Sequence, residues 1–164
     1  MKADFIIRAA LQSDAVELKK LFQNTVLAIN RRDYSQAEVE DWASCGDDLS
    51  NIEDMIKTHY FIVAVNQQSE IVGFSSITPQ GYLHSMFVHK DFQGEGIATI
   101  LLNEIEQYAI TNGIMRITYE VSLTARPFFE KKGYIVEEEQ KRKANQLSLT
   151  NFWMAKQTIC PKNL

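Results

Sequence analysis

Cysteine is scarce: the 164 residues include only Cys45 and Cys160. Neither belongs to a Cys-x-x-Cys pair or a Cys/His cluster, so the sequence offers no disulfide framework and no zinc site, and no metal is expected. Proline (3) and glycine (7) are too few to build a linker, and neither an internal repeat nor a low-complexity tract is present. Positive charge is not in excess either. Lys and Arg number 17 against 21 Asp and Glu, a formal net charge of -4, which argues against nucleic acid as the partner. No stretch approaches the roughly 18 apolar residues that cross a bilayer. The opening MKADFIIRAA places Asp4 and Arg8 among its apolar residues, unlike a secretory signal. A membrane partner is therefore not expected, and the expected location is the cytoplasm.

What remains is the composition of an ordinary globular chain, 45% hydrophobic and 23% charged, long enough for one packed core, so residues 1–164 are expected as a single domain. Phe5 to Arg8 reads as a short strand. Ser13 is a good N-cap, and Leu18, Leu21, Phe22, Val26 and Ile29 recur at helical spacing, which predicts a helix to about Asn30. Two capping boxes, Ser35 to Glu38 and Ser50 to Glu53, predict short helices ending near Ala43 and Lys57. The period then becomes two. Tyr60 to Val65, Ile71 to Thr78 and Tyr82 to His89, parted by polar turns, predict an antiparallel meander. From Gly96 an amphipathic helix runs to Gly113, followed by a strand from Met115 to Glu120. Thr124 to Lys132 reads as a helix closed by Gly133, and Tyr134 to Val136 and Leu147 to Lys156 as two further strands. The acidic run Glu137 to Glu139 reads as a solvated strand face or turn. The expected fold class is α/β (α+β layered): a mixed sheet of about seven strands flanked by four or five helices.

The most informative segment is Val88-His-Lys-Asp-Phe-Gln93-Gly94-Glu95-Gly96-Ile97-Ala98. Glycines at a strand-to-helix turn let backbone approach a ligand, and the first amides of the helix lack internal acceptors, so the turn is an anion seat. A P-loop would need Gly-Lys-Ser/Thr, but Ile97 follows Gly96. A dinucleotide fingerprint would need glycine where Thr99 stands and an early βαβ unit, but a meander precedes this loop.

The pattern Gln93-x-x-Gly96-x-Ala98, entering a helix from a strand that ends Met86-Phe87-Val88, resembles the acyl-coenzyme A signature of the GNAT acetyltransferase superfamily, Arg/Gln-x-x-Gly-x-Gly/Ala. Arg8-Ala-Ala, the meander, and Ser122-x-x-Ala125-x-Pro127-Phe128-Phe129-x-x-x-Gly133-Tyr134 follow the same superfamily in order and spacing, so the resemblance covers roughly residues 4 to 156. Tyr34-Ser35 with Trp42 is similar to a segment of one bacterial subgroup. The resemblance implies the acyl-CoA N-acyltransferase (GNAT) fold, with acetyl-CoA as cosubstrate and an amine as acceptor. In that fold the amides of Gln93, Gly94, Glu95, Gly96, Ile97 and Ala98 take the pyrophosphate. The pantetheine arm lies where Tyr82 to Val88 splays from Met115 to Glu120, against Met86, the backbone of Phe87 and Val88, and Phe129. The acceptor enters beside the segment that carries Tyr34 and Trp42, which are expected to be partly exposed there.

Direct acyl transfer requires a neutral amine, and an alkylamine of pKa about 10.4 is mostly protonated near neutrality, so a base is expected. By the period of two, Tyr82, His84, Met86 and Val88 share a face, and the superfamily places its base on that face. His84 is the first candidate and Glu120 the second. Many members supply a proton to the leaving thiolate from a tyrosine four residues before the glycine of the second motif. Here that position is Phe129, which has no proton to give; Ser122 is near enough in sequence to serve the sulfur, and Tyr134 is expected to be core. Two functions stay open. One is an N-acetyltransferase acting on a primary amine of a small molecule, a peptide or a protein. The other is a catalytically impaired acyl-CoA-binding sensor or assembly module. The chain is expected as a monomer or homodimer, with the last strand and the tail after Pro161 as a contact.

Overall fold

The computed structural model describes residues 4–158; Cys160 and the tail after Pro161 lie outside them. The elements in chain order are β1 (Ile6–Ala9), α1 (Ala15–Ala28), α2 (Gln36–Ser44), α3 (Leu49–Thr58), β2 (Tyr60–Val65), β3 (Ile71–Ile77), β4 (Tyr82–Val88), α4 (Ile97–Thr111), β5 (Arg116–Ser122), α5 (Arg126–Lys131), β6 (Ile135–Lys143) and β7 (Ser148–Gln157). They form one seven-stranded sheet in the order β1-β2-β3-β4-β5-β7-β6. Among the described residues only β4 and β5 run parallel. The expected mixed sheet with five helices is what the chain adopts.

Strand β2 shows why the sheet is a middle layer. Ile62 and Ala64 pack with Leu101, Leu102 and Ile105 of α4, while Phe61, Val63 and Val65 pack with Leu18 and Leu21 of α1 and Ile52 of α3. Alternate side chains of one strand thus serve two cores, which requires apolar residues at both phases. Strand β4 meets β5 only at Tyr82 to Thr118 and Leu83 to Tyr119. Gly81 makes that approach possible: a Cβ there would stand 2.6 Å from the carbonyl oxygen of Arg116, and its φ is +96°. Beyond Leu83 the strands part, and the wedge expected from the resemblance opens between them.

Several local expectations change. Ser13 falls inside a short 3-10 turn, and it is Asp14 that organises the start of α1, accepting the Leu11 amide at 2.7 Å and the Arg8 guanidinium at 2.8 Å. The Ser35/Glu38 capping box forms, but α3 is capped two residues earlier than expected, by Asp48, whose carboxylate accepts the Ser50 amide at 3.0 Å. A carboxylate outcompetes a hydroxyl for the same orphan amides. Strands β6 and β7 are longer than their apolar runs, and β7 is interior: the edge at this end of the sheet is β6, not the last strand. Glu137 to Glu139 lie in that edge strand.

Candidate active site

The loop before α4 is built around two left-handed glycines, Gly94 (φ +76°) and Gly96 (φ +84°), with nothing within 4 Å of where a Cβ would stand on either. They turn the chain so that consecutive amides face outward. No hydrogen bond among the described residues takes the amides of Gln93 to Thr99; the first bond of the helix runs from Ile100 to the Gly96 carbonyl, at 3.1 Å. The 15-residue α4 adds the positive end of its dipole at the same spot. Gln93 itself turns inward. Its amide nitrogen donates to the carbonyls of Val88 (2.7 Å) and His89 (3.3 Å), so the side chain braces the loop and only the backbone is left for an anion.

This seat forms one end of a cleft of about 410 Å³ lined further by Met86, Phe87, Val88, Thr124, Phe128 and Phe129, with Asn30 and Arg32 at its border. The hydroxyl of Thr124 is buried without a hydrogen-bond partner. Open glycine faces, a row of free amides, a cation and an orphaned hydroxyl together suit a long anionic ligand with polar groups along its body. Alternate residues of a strand aim their amides at opposite edges, and the His89 amide is bonded to Val72 of β3. The amides of Met86 and Val88 therefore face the wedge, whereas that of Phe87 faces β3. The Val88 carbonyl is already taken by Thr25 Oγ1 (3.1 Å) and Gln93. On this edge the Met86 amide points at the Tyr119 hydroxyl oxygen, and the Val88 amide lies beside the cleft.

On the other side of the wedge lies a second cavity of about 540 Å³, walled by aromatic and aliphatic residues including Phe22, Phe61, Phe74, Phe87 and Met55. His84, Tyr82, Glu120, Arg142 and Asp54 supply its polar groups. The cleft and the cavity meet at Trp42, Phe87, Tyr119, Glu120 and Ser122. His84 reaches the cavity through a β-bulge: the register of β3 on β4 slips between Ser76 and Ile77, leaving His84 unpaired opposite them. The slip also corrects the expected face. Leu83, Met86 and Val88 pack on the α4 side, so His84 does not share a face with Met86 and Val88.

His84 stands in an edge-to-face pair with His59, ring centroids 5.4 Å apart, and beside Tyr82 at 5.8 Å. His84 is exposed at the cavity wall, yet partial desolvation lowers its pKa below 6.5, the neighbouring His59 lowers it further, and Glu120 acts in the opposite direction. The imidazole is thus neutral at neutral pH. Glu120 is not the free strand-end carboxylate that was expected. It lies within β5, where Arg142 Nε donates to it at 2.7 Å and Gln140 Nε2 at 3.2 Å.

The other expected residues divide. Trp42 lines both spaces. Tyr34 borders the cavity but is only 7% exposed; its hydroxyl donates to the Thr150 carbonyl (2.6 Å) and accepts the Leu123 amide (2.9 Å), so its polar tip is consumed by the fold. Ser122 Oγ accepts the Ala125 amide at 3.0 Å, a turn-capping bond that fixes the hydroxyl at the junction of the two spaces and leaves its proton available. Glu95 contributes its amide to the loop while its side chain lines neither space. Ile97 and Phe129 are each 1% exposed and form part of the floor of the cleft. Tyr134 is core as expected, its hydroxyl donating to Glu106 at 2.8 Å. Sequence reading missed Tyr119, Arg32 and Thr124. The Arg31-Arg32 doublet ahead of Tyr34 was an available signal for the second, but nothing in the sequence marked the first. No His/Cys/Asp/Glu cluster among the described residues has metal-binding geometry.

Comparison with known proteins gives the same reading of the fold. The chain is 27% identical over 148 residues to the uncharacterized N-acetyltransferase YafP of Escherichia coli (strain K12), covering 90% of this chain and 93% of that one. The crystal structure of a GCN5-related N-acetyltransferase from Rhodopseudomonas palustris superposes with a TM-score of 0.91 at 27% identity, covering 96% of this chain and 98% of that one. The PaiA N-acetyltransferase of Thermoplasma acidophilum, solved in complex with coenzyme A, shares the fold at a TM-score of 0.78 and 19% identity, covering 94% and 99%. The model of the acetyltransferase (GNAT) domain matches residues 30–156. From that match and the fold that carries it, the chain belongs to the GNAT family of acetyltransferases.

Proposed function

We propose that the protein transfers the acetyl group of acetyl-CoA to the primary amine of a small molecule with a largely apolar body, in the cytoplasm. The observation that carries this reading is the junction at Trp42, Phe87, Tyr119, Glu120 and Ser122, where the cleft fed by the amide row opens into the aromatic cavity. Acetyl-CoA supplies the activated acyl group. The amides of Gln93 to Thr99 and the Arg32 guanidinium hold its diphosphate, Thr124 meets a polar group along its arm, and the Met86 amide faces its acyl end. Phe22, Phe61, Phe74 and Met55 receive the apolar part of the acceptor and exclude water. His84 accepts the proton that the amine nitrogen loses as it attacks, directly or through one water, and its neutral state makes it ready to do so. Arg142 and Gln140 fix Glu120 as a stationary anion that stabilises the imidazolium once formed.

The experiment is thiol release. Purified protein, acetyl-CoA and a panel of amines are mixed and free coenzyme A is titrated. Turnover with aralkyl and alkyl monoamines exceeding that with polyamines is the expected result. Calorimetric binding of acetyl-CoA with no turnover on any amine would instead leave a binding module.

A further inference from the structure

Position 129, where a hydroxyl is expected in this family, is a phenylalanine packed into the core. The structure brings a phenol to the same neighbourhood from another element. Tyr119 stands on β5 at the last residue paired with β4 before the strands part. It lines both the cleft and the cavity, and its ring meets Phe129 edge-on with centroids 5.2 Å apart. The Met86 amide, on the wedge edge of β4, is directed at the Tyr119 hydroxyl oxygen. With its oxygen held by that amide, the phenol has its proton to give, at the place where the thioester must lie if the cleft holds acetyl-CoA.

We propose that the Tyr119 hydroxyl is the hydrogen-bond donor to the departing coenzyme A sulfur, replacing the tyrosine absent from position 129. This rests on the acetyl-CoA reading above. In the step, the amine nitrogen bonds to the carbonyl carbon, and the electron pair of the C–S bond goes to sulfur. Tyr119 shares its proton with that sulfur and keeps it. The proton lost by the amine, received by His84, reaches the thiolate through water, so an amide and a free thiol leave with no net proton change. Burial in the throat raises the phenol pKa well above its ordinary value, which keeps the group a donor throughout. The same burial makes the hydrogen bond strong, because little water competes for it.

The test separates sulfur recognition from structure and from cofactor binding in general. Tyr119→Phe keeps the ring and removes only the hydroxyl. We expect kcat with acetyl-CoA to fall about 100-fold, the range for losing one aligned donor to developing charge, while the affinity for desulfo-CoA is unchanged. Adding Phe129→Tyr to that variant returns a hydroxyl to the throat and is expected to recover part of the loss. In the wild-type protein, affinity for coenzyme A relative to desulfo-CoA should rise as pH passes the thiol pKa, because the waiting donor favours the thiolate. A Tyr119→Phe kcat within twofold of wild type, or a coenzyme A to desulfo-CoA ratio flat with pH, would overturn the assignment. Failure of the wild-type protein to bind desulfo-CoA at all would instead remove the cofactor seat on which it stands.

Discussion

Arg142 reaches across β7 and places its Nε 2.7 Å from Glu120 Oε2. The pair distinguishes the surroundings of the two groups that the sequence offered as base. Glu120 Oε2 accepts from both the guanidinium and Gln140, which ties that oxygen down, while desolvation and His59 lower the pKa of His84 against the opposing pull of Glu120.

The first prediction concerns that division of labour. For His84→Ala, kcat should fall about 100-fold or more, the range for removing a general base. In the wild-type protein, the pH profile of kcat at saturating amine should rise with pH to a plateau, with its acid limb centred below 6.5, because the neutral imidazole is the active form and its pKa is lowered. Glu120→Gln removes the neighbour that raises that pKa, so the limb should move to still lower pH while the plateau stays far above that of His84→Ala. Loss of the plateau in Glu120→Gln would make the carboxylate the base.

The second prediction tests the anion seat. At φ +84° any side chain strains the backbone by about 1–2 kcal/mol, but open space surrounds the Cβ position of Gly96, so Gly96→Ala should fold. Gly96→Asp adds a negative charge where the diphosphate is proposed to sit. We expect its acetyl-CoA affinity to drop far below that of Gly96→Ala. Arg32→Ala should weaken the same affinity about tenfold, as one charge-assisted hydrogen bond to a phosphate would, and salt should erase most of that difference. Equal acetyl-CoA affinity in Gly96→Asp and Gly96→Ala would empty the seat.

How much of this was legible varies with the range of the forces involved. The glycine turn and the helix after it were readable because the conformation is dictated locally, by residues that alone adopt it cheaply. The meander was readable because β2 and β3 are buried on both faces and spell that out in apolar residues. The face of His84 was not, since a bulge changes register without changing the alternation of side-chain types. Tyr119 reads in sequence as one more aromatic of a strand; only the parting of β4 from β5 beyond Leu83 makes it a throat residue. Tyr34 was misjudged for a related reason. Its partners Thr150 and Leu123 are distant in sequence, so a capped polar helix gave no hint that the ring was buried.

That buried hydroxyl gives the third prediction. Tyr34→Phe leaves the Thr150 carbonyl and the Leu123 amide without this partner in a part-buried site. The expected loss is about 1–3 kcal/mol of stability, read as a lower denaturant midpoint with an unchanged slope. Because Leu123 follows Ser122 at the end of β5, the hydrogen-exchange protection of its amide should fall in the same variant. Unaltered protection there would mean that solvent already reaches the pair.

The last prediction lies at the rim of the acceptor cavity. Asp41, on α2 beside Trp42, accepts the amides of Asn145 (2.9 Å), Gln146 (2.9 Å) and Leu147 (3.1 Å), clasping the turn between β6 and β7. Those amides lower its pKa from 3.8 despite an opposing desolvation effect. A carboxylate whose pKa is depressed by folding contributes its stabilisation above its unfolded value and loses it as pH falls through the lower folded one. Protection of the three amides should therefore hold at pH 5 and decline only below 3.8, and Asp41→Asn should show the reduced protection at both. Lys143 and Ala144, at the start of that turn, line the aromatic cavity proposed for the acceptor but not the cleft proposed for the cofactor. Loosening the clasp should accordingly raise KM for the amine and spare KM for acetyl-CoA; an equal rise in both would show that the turn serves the fold as a whole rather than the acceptor wall.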